Sequence, residues 1–304
     1  GAIDLGAGTD TLILANGVNT LTVSHGETIT GNAGADTITL GAAQLGGTIN
    51  LAGGADSLAL SSAGNNTLTV TNVETISGGS QDDTITLGNT LAASTVISGG
   101  GGTDTLTLFA ANHNLSLTNV SGIETINVQG TSTYALTLVD GNVAAGQQLT
   151  INGAGLTTGT LNVAGGAELD GHLSLFGGGG NDTLVGGGTS DLLRGGSGND
   201  RLTGGAGGDT FDYNLLTDRG TTGDTITDFT KGVGADVLDV SDLLDTFAGY
   251  NGTNAFTGGY LHFQASGANT IVQVDSDGGG NSYVTLATLS NVTVTASDTD
   301  NYVV

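Results

Sequence analysis

Asp182, Asp191, Asp200 and Asp209 stand nine residues apart, each the sixth residue of a unit that opens on glycine: GGGGNDTLV, GGGTSDLLR, GGSGNDRLT and GGAGGDTFD. Fourteen of the 36 residues from Gly177 to Asp212 are glycine. Glycine loses more backbone entropy on folding than any other residue, so a regular run of it needs a reason. It also takes positive φ without strain, which lets a loop fold tightly and point several carbonyls at one spot. The aspartate adds a carboxylate there. Oxygen donors without nitrogen or sulfur suit a hard cation. Ca2+, which accepts roughly six to eight oxygens, fits better than Mg2+, which prefers an octahedron and keeps its waters.

Two such units in one coil put position n over position n+18, so Asp182 stacks over Asp200 and Asp191 over Asp209. Carboxylates stacked at about one strand spacing (~4.8 Å) repel unless a cation sits between them. The segment is therefore expected to fold with Ca2+ and to stay unfolded without it. Each site filled at about 100 times its dissociation constant adds roughly 2.7 kcal/mol. One position departs from the pattern, where Thr189 replaces the fourth glycine.

The unit recurs in diluted form upstream. GTDTLIL (8–14), GADSLAL (54–60) and GTDTLTL (102–108) return at nearly equal intervals. ETITGNAGADTITLG (27–41) and ETISGGSQDDTITLG (74–88) return at the same interval, and IETINVQG (123–130) begins a third copy. In both complete copies Glu to Asp is nine residues, and GGGGTDTLT (99–107) matches the unit fully. Asp10, Asp36, Asp56, Asp83 and Asp104 are thus further candidate ligands, with turn capping as the alternative role.

The elements that must position these residues are short strands. T-I-T-L and T-L-T-L alternate an apolar with a hydroxylated face, the pattern of a half-buried strand. A short strand, a glycine-rich turn and another short strand, repeated, predict a parallel β-solenoid in which each coil buries its Leu/Ile row against the next. After Tyr213 the chain changes: Phe, Tyr and Val rise, and all four basic residues lie from Arg194 onward. A short helix is expected near Ser241 to Leu244, with Ser241 as its cap. YLHFQ, NTIVQVDSD and SYVTLATL (260–289) read as antiparallel strands, with DSDGGGNS (275–282) as a turn. The fold class is all-β: a degenerate solenoid over 1–165, a calcium β-roll over 166–212, and a small, mostly antiparallel C-terminal domain over 213–304.

The four consecutive nonapeptides resemble the RTX (repeats-in-toxin) calcium-binding family. GDTITDFTKGVGADVLDVSDLL followed by VDSDGGGNSYVTLATLSNVTV is similar to the C-terminal target domain of type I secretion substrates, and the tail ASDTDNYVV resembles their uncleaved signal. The resemblance implies export through a type I secretion transporter, unfolded, from a calcium-poor cytoplasm, with folding on Ca2+ outside. Asp224, Asp228 and Asp236, with Asp239 beside them, are candidates for further ions or for loop capping. Asp275 and Asp277 read as hairpin-turn residues.

Composition narrows the function classes. Lys+Arg number 4 against Asp+Glu 29, a net charge of −25. Such a chain repels nucleic acid and anionic membranes and attracts cations. Only 11% of residues are charged and apolar residues recur regularly, which argues against a wholly disordered chain. Without cysteine there is no disulfide and no thiolate site, so metal ions become the expected staple. No apolar run approaches the ~20 residues of a membrane helix. No signal peptide is visible, and the start at Gly1 inside a repeat reads as a fragment or processing boundary.

No nucleophile elbow, phosphate-binding loop or zinc-protease motif is present, and His25, His113, His172 and His262 are far apart in sequence. Asp82 and Asp83 as a pair are better explained by cation binding than by glycoside hydrolysis. The expectation is a non-enzymatic, calcium-dependent structural region of a secreted bacterial cell-surface protein, of surface-layer, biofilm-matrix or adhesin type, able to self-associate. The alternatives are an export and folding module of a secreted hydrolase, and ice binding through the pairs Thr37/Thr39, Thr67/Thr69, Thr84/Thr86 and Thr105/Thr107 on one flat face.

Overall fold

A computed structural model describes residues 1–88, 92–109 and 113–304, with the side chain of His113 outside the described residues. The alternating Leu/Ile and Thr positions form short strands, and these wind into a solenoid. One face is a 13-stranded sheet running from Thr11–Ile13 to Tyr302–Val303. The opposite face begins as a 7-stranded sheet, Ala2–Asp4 to Val120–Ser121. A 9-stranded sheet that starts at His113–Ser116 then continues it.

Parallel pairing in register stacks like on like. On the 13-stranded sheet Leu68, Ile85, Leu106, Ile126, Ile151, Leu175, Leu193, Phe211 and Leu238 pair in turn. All nine are buried. Ile38, Leu58, Ile76, Ile97 and Val120 form the facing row, and Val163, Leu184, Leu202, Ile226 and Leu289 continue it. The core is one apolar stripe between two sheets, which is why few aromatic residues suffice.

Coil length is uniform only where the nonapeptides are complete. Ser174 pairs with Leu192 and Leu192 with Thr210, a step of n+18 each time, as two nonapeptides per coil require. Upstream the step varies, from n+17 between Thr67 and Thr84 to n+27 between Tyr134 and Leu161. The long sequence repeat spans two and a half coils. Asp10 precedes a strand of the 13-stranded sheet, Asp56 one of the 7-stranded sheet, and Asp104 one of the 13-stranded sheet again. Successive copies of the repeat therefore alternate between the two edges of the solenoid.

That alternation corrects the single flat threonine face. Thr37 and Thr39 pair with Thr20 and Thr22 on the 7-stranded sheet. Thr67/Thr69, Thr84/Thr86 and Thr105/Thr107 lie in register on the opposite sheet, where Thr107 is buried.

Both sheets run without a break through 165/166 and 212/213. Asp224–Ile226 and Val237–Asp239 add directly to the strands of the nonapeptide coils. Leu261–Ser266, Asn269–Val274 and Val284–Leu289 form the expected antiparallel set, joined to the 9-stranded sheet through Asp224–Ile226. The short helix forms at Ser241–Asp245, but Ser241 is not its cap. Its N–H and hydroxyl both donate to Asp239 Oδ1, at 3.0 and 2.7 Å. A carboxylate two residues back captures the donors that a capping serine would have left free.

Ile38 and Thr39 test the two-faced strand. Ile38→Ala should destabilise the calcium-loaded protein by about 2–5 kcal/mol in a denaturant titration, whereas Thr39→Ala, on the exposed face, should stay within about 0.5 kcal/mol. Equal effects would mean that the strand faces are misassigned.

Candidate metal centre

Strands begin at, or one residue after, a polar side chain at the coil edge. On the edge leading into the 13-stranded sheet these are Asp10, Glu27, Asn66, Asp83, Asp104 and Glu124, then Asp191, Asp209 and Asp236. On the other edge they are Asn19, Asp36, Asp56 and Glu74, then Asp182, Asp200 and Asp224. Beyond Asp10, which lies in the first coil, each carboxylate reaches back along the solenoid axis. One of its oxygens accepts the backbone N–H of the junction residue one coil earlier: Asp200 from Asp182 at 2.7 Å, Asp209 from Asp191 at 2.9 Å, Asp104 from Asp83 at 2.7 Å and Asp56 from Asp36 at 2.7 Å. Asp224 accepts from Asp200 at 2.8 Å and Asp236 from Asp209 at 2.9 Å. The n+18 stacking thus holds, but the carboxylate faces a backbone donor and not another carboxylate. The junction N–H points along the axis and needs an acceptor there.

Glu27, Glu74 and Glu124 continue the same ladders, accepting from Asp10, Asp56 and Asp104 at 2.8, 2.7 and 2.6 Å. These glutamates were absent from the candidate ligands. Their signal was the nine-residue Glu-to-Asp spacing, which is half a coil.

The second carboxylate oxygen divides the candidates. In Asp10, Asp36, Asp56, Asp104, Asp182, Asp200 and Asp209 the Oδ2 atom is buried without a hydrogen-bond partner. In the others both oxygens are engaged. Asp83 Oδ2 accepts from Gly79 and Asp191 Oδ2 from Gly187, at 2.9 and 2.5 Å. Asp224 Oδ2 takes the buried Tyr213 hydroxyl at 2.9 Å, and Asp236 Oδ2 takes Thr230 N–H at 2.7 Å. Asp228 spans the N–H groups of Gly204 and Gly205, at 3.0 and 2.9 Å. Asp275 closes its turn by accepting from Asn281 and Ser282.

The glycines explain where the unpaired oxygens lie. At Gly177, the Asp182 Oδ2 atom and the Gly195 carbonyl oxygen both occupy the space a Cβ would fill. Gly186 is matched in this way by Asp191 Oδ2 and the Gly204 carbonyl, and Gly99 by Asp104 Oδ2 and the Gly122 carbonyl. At Gly198, with φ +140°, the Gly180 carbonyl takes that space. A carboxylate oxygen and a backbone carbonyl oxygen thus converge where glycine has no side chain. That donor set is hard and all-oxygen, as Ca2+ requires.

Burial raises these carboxyls and the N–H bonds only partly oppose it. Asp182 and Asp224 are pushed up to about 8, Asp200 and Asp209 to about 7, and Asp104 to about 6. Asp191 and Asp56 are raised by the same cause. A negative carboxylate is costly here unless a cation accompanies it. His25, His172 and His262 are all exposed, and His113 cannot be placed because its side chain lies outside the described residues.

A raised folded pKa favours the protonated fold. In calcium-free protein that stability is fully present below the ordinary carboxyl value of 3.8 and is lost as pH rises through about 6 to 8. The thermal midpoint in calcium-depleted buffer should therefore be higher at pH 4.5 than at pH 8. With saturating Ca2+ the order should reverse, because the ion binds the carboxylate and displaces the proton. A calcium-free midpoint that rises with pH would rule out the buried-carboxylate account.

No curated protein matches the chain. The family model of the RTX calcium-binding nonapeptide repeat (4 copies) matches residues 24–43, 69–89 and 176–211, about a quarter of the sequence. The matched segments contain Asp36, Asp83 and the four nonapeptide aspartates, while Asp10, Asp56 and Asp104 lie outside them. Carboxylates at the turn-to-strand junctions, glycine carbonyls beside them and the matched repeat lead to one assignment: residues 24–43, 69–89 and 176–211 carry RTX calcium-binding nonapeptide repeats, and the ion these repeats imply is Ca2+.

Proposed function

We propose that this chain is the calcium-folded structural body of a secreted bacterial cell-surface protein, of surface-layer, biofilm-matrix or adhesin type. The observation that carries the reading is the single 13-stranded sheet from Thr11 to Val303. Calcium sites at 177–212 sit inside one continuous rod. A rod of that length exceeds what a tag for exporting another domain needs.

In this reading Asp182, Asp200, Asp209 and Asp104 are the principal ligands, because each has a buried, unpaired oxygen beside glycine backbone. Asp10, Asp36 and Asp56 are further ligands by the same unpaired oxygen. Asp191 shares the glycine cradle and contributes to the nonapeptide sites. Asp83, Asp224, Asp228 and Asp236 serve mainly as caps of the coil edge.

Calcium supplies positive charge that lets the ladders fold while ionised. Sites with a dissociation constant on the order of 10⁻⁴–10⁻³ M, typical of extracellular calcium modules, stay empty in a cytoplasm and fill outside. The partner for export is a type I secretion transporter, engaged through residues 213–304. No helix among the described residues is long and apolar enough to cross a membrane. The stacked coils are suited to lateral or end-to-end association of rods.

Far-UV circular dichroism and light scattering along one calcium titration test this. The β-signal should rise with Ca2+, and scattering that rises with it supports a self-assembling layer or matrix. Flat scattering supports a monomeric adhesin segment. A chain fully folded in excess chelator at pH 8, where protons no longer neutralise the carboxylates, overturns the proposal. Asp200→Asn with Asp209→Asn should move the calcium midpoint up by about tenfold or more.

A further inference from the structure

The carboxylate ladder on the 13-stranded edge is interrupted. Between Glu124 and Asp191 the two junction positions are Leu149 and Leu173, both buried. At the same edge, the turns that precede these two strands carry Asp140 in one coil and Glu168 and Asp170 in the next. One carboxylate oxygen from each of the three lies within 4.8 Å of the others.

Glu168 gives the cluster its meaning. It is 0% exposed, one of only four glutamates in the chain. Its Oε1 accepts the Gly171 N–H at 3.0 Å, whereas Oε2 is buried with no hydrogen-bond partner. Asp140 and Asp170 are exposed and bring two more negative charges to it. No Lys or Arg precedes Arg194, so the coils up to that point hold no lysine or arginine to balance them. The two turns are fixed to each other by the backbone. Leu169 N–H donates to Asp140 Oδ1 at 3.1 Å, and Gly146 N–H donates to the Asp170 carbonyl at 2.8 Å. The next turn docks by Gly188 N–H onto the Glu168 carbonyl at 2.8 Å.

We propose that Asp140, Glu168 and Asp170 form an additional Ca2+ site, outside the nonapeptides, that bridges two coils where the junction ladder has only leucines. Three carboxylates from two coils form a hard oxygen donor set, and the buried oxygen of Glu168 is a ligand atom without another partner. The site lies one coil before the turn Gly186–Ser190 and closes the N-terminal end of the nonapeptide stack. It does not require the nonapeptides to bind calcium.

The test is a count of Ca2+ per full-length chain by equilibrium dialysis against saturating radioactive calcium, with circular dichroism on the same samples. Asp140 and Asp170 are exposed, so Asp140→Asn with Asp170→Asn should keep the fold and bind one Ca2+ fewer than the parent. Glu168→Gln, which keeps the acceptor for Gly171, should lose the same single ion. An unchanged count in the folded Asp140→Asn/Asp170→Asn variant overturns the proposal. A parent whose only ion disappears in that variant would support this site and sink the nonapeptide assignment. A parent that binds none would overturn both.

Discussion

A backbone N–H at the coil edge is the constraint on which this solenoid depends. At most turn-to-strand junctions it points along the axis to the next coil, where a carboxylate oxygen accepts it, and burial of that carboxylate follows from the stacking. One oxygen is then used, and in Asp10, Asp36, Asp56, Asp104, Asp182, Asp200 and Asp209 the other is left buried without a partner. An unpaired buried polar atom costs about 1–3 kcal/mol, and more when charged. The fold is therefore incomplete as a set of polar contacts until a cation is added. A calcium ion at the joint between coils would complete that set, which is the physical basis of the proposed calcium dependence.

Much of this was legible in the sequence because the signals were periodic. Nine-residue spacing over four consecutive units fixed the two-unit coil and the stacking of Asp182 on Asp200. Alternating Leu and Thr fixed the two faces. What stayed hidden was set by distances between coils. The backbone N–H that each aspartate caps belongs to a residue a whole coil away, and no local pattern names it. The glutamates Glu27, Glu74 and Glu124 escaped because a longer side chain at the same junction does the same task from a different motif. The long repeat was visible, yet its meaning was not, since it covers an odd number of half-coils and sends equivalent residues to opposite edges. Ser241 has the residue type of a cap, but the acceptor that engages its N–H and hydroxyl, Asp239, lies outside the helix.

The ladders are graded along the chain. Asn66 and Asn19 occupy junction positions upstream, and their amides add a second donor to the next carboxylate: Asn66 Nδ2 to Asp83 Oδ1 at 2.8 Å, and Asn19 Nδ2 to Asp36 Oδ1 at 2.7 Å. A neutral amide below a carboxylate dilutes the negative charge and supplies hydrogen bonds that an ion would otherwise compensate. Within 177–212 no amide interrupts the column, and every junction is an aspartate. Burial pushes Asp182, Asp200 and Asp209 up to between about 7 and 8, and Asp224, in the next coil, as far.

The two regimes have different physical roles. Where amides alternate with acids and coil length varies, pairing and the apolar row hold the stack, and irregular turns are tolerated. Where acids are continuous, the step stays at n+18, because the space beside each opening glycine must take both the carboxylate of its own unit and a carbonyl of the next coil. A one-residue insertion in a turn upstream shifts a loop. The same insertion between Gly195 and Asp200 would part the carboxylate from its carbonyls while leaving the apolar row in place. Regularity is thus the condition for repeating one glycine–carboxylate geometry from coil to coil, and irregularity is permitted where each turn builds its own.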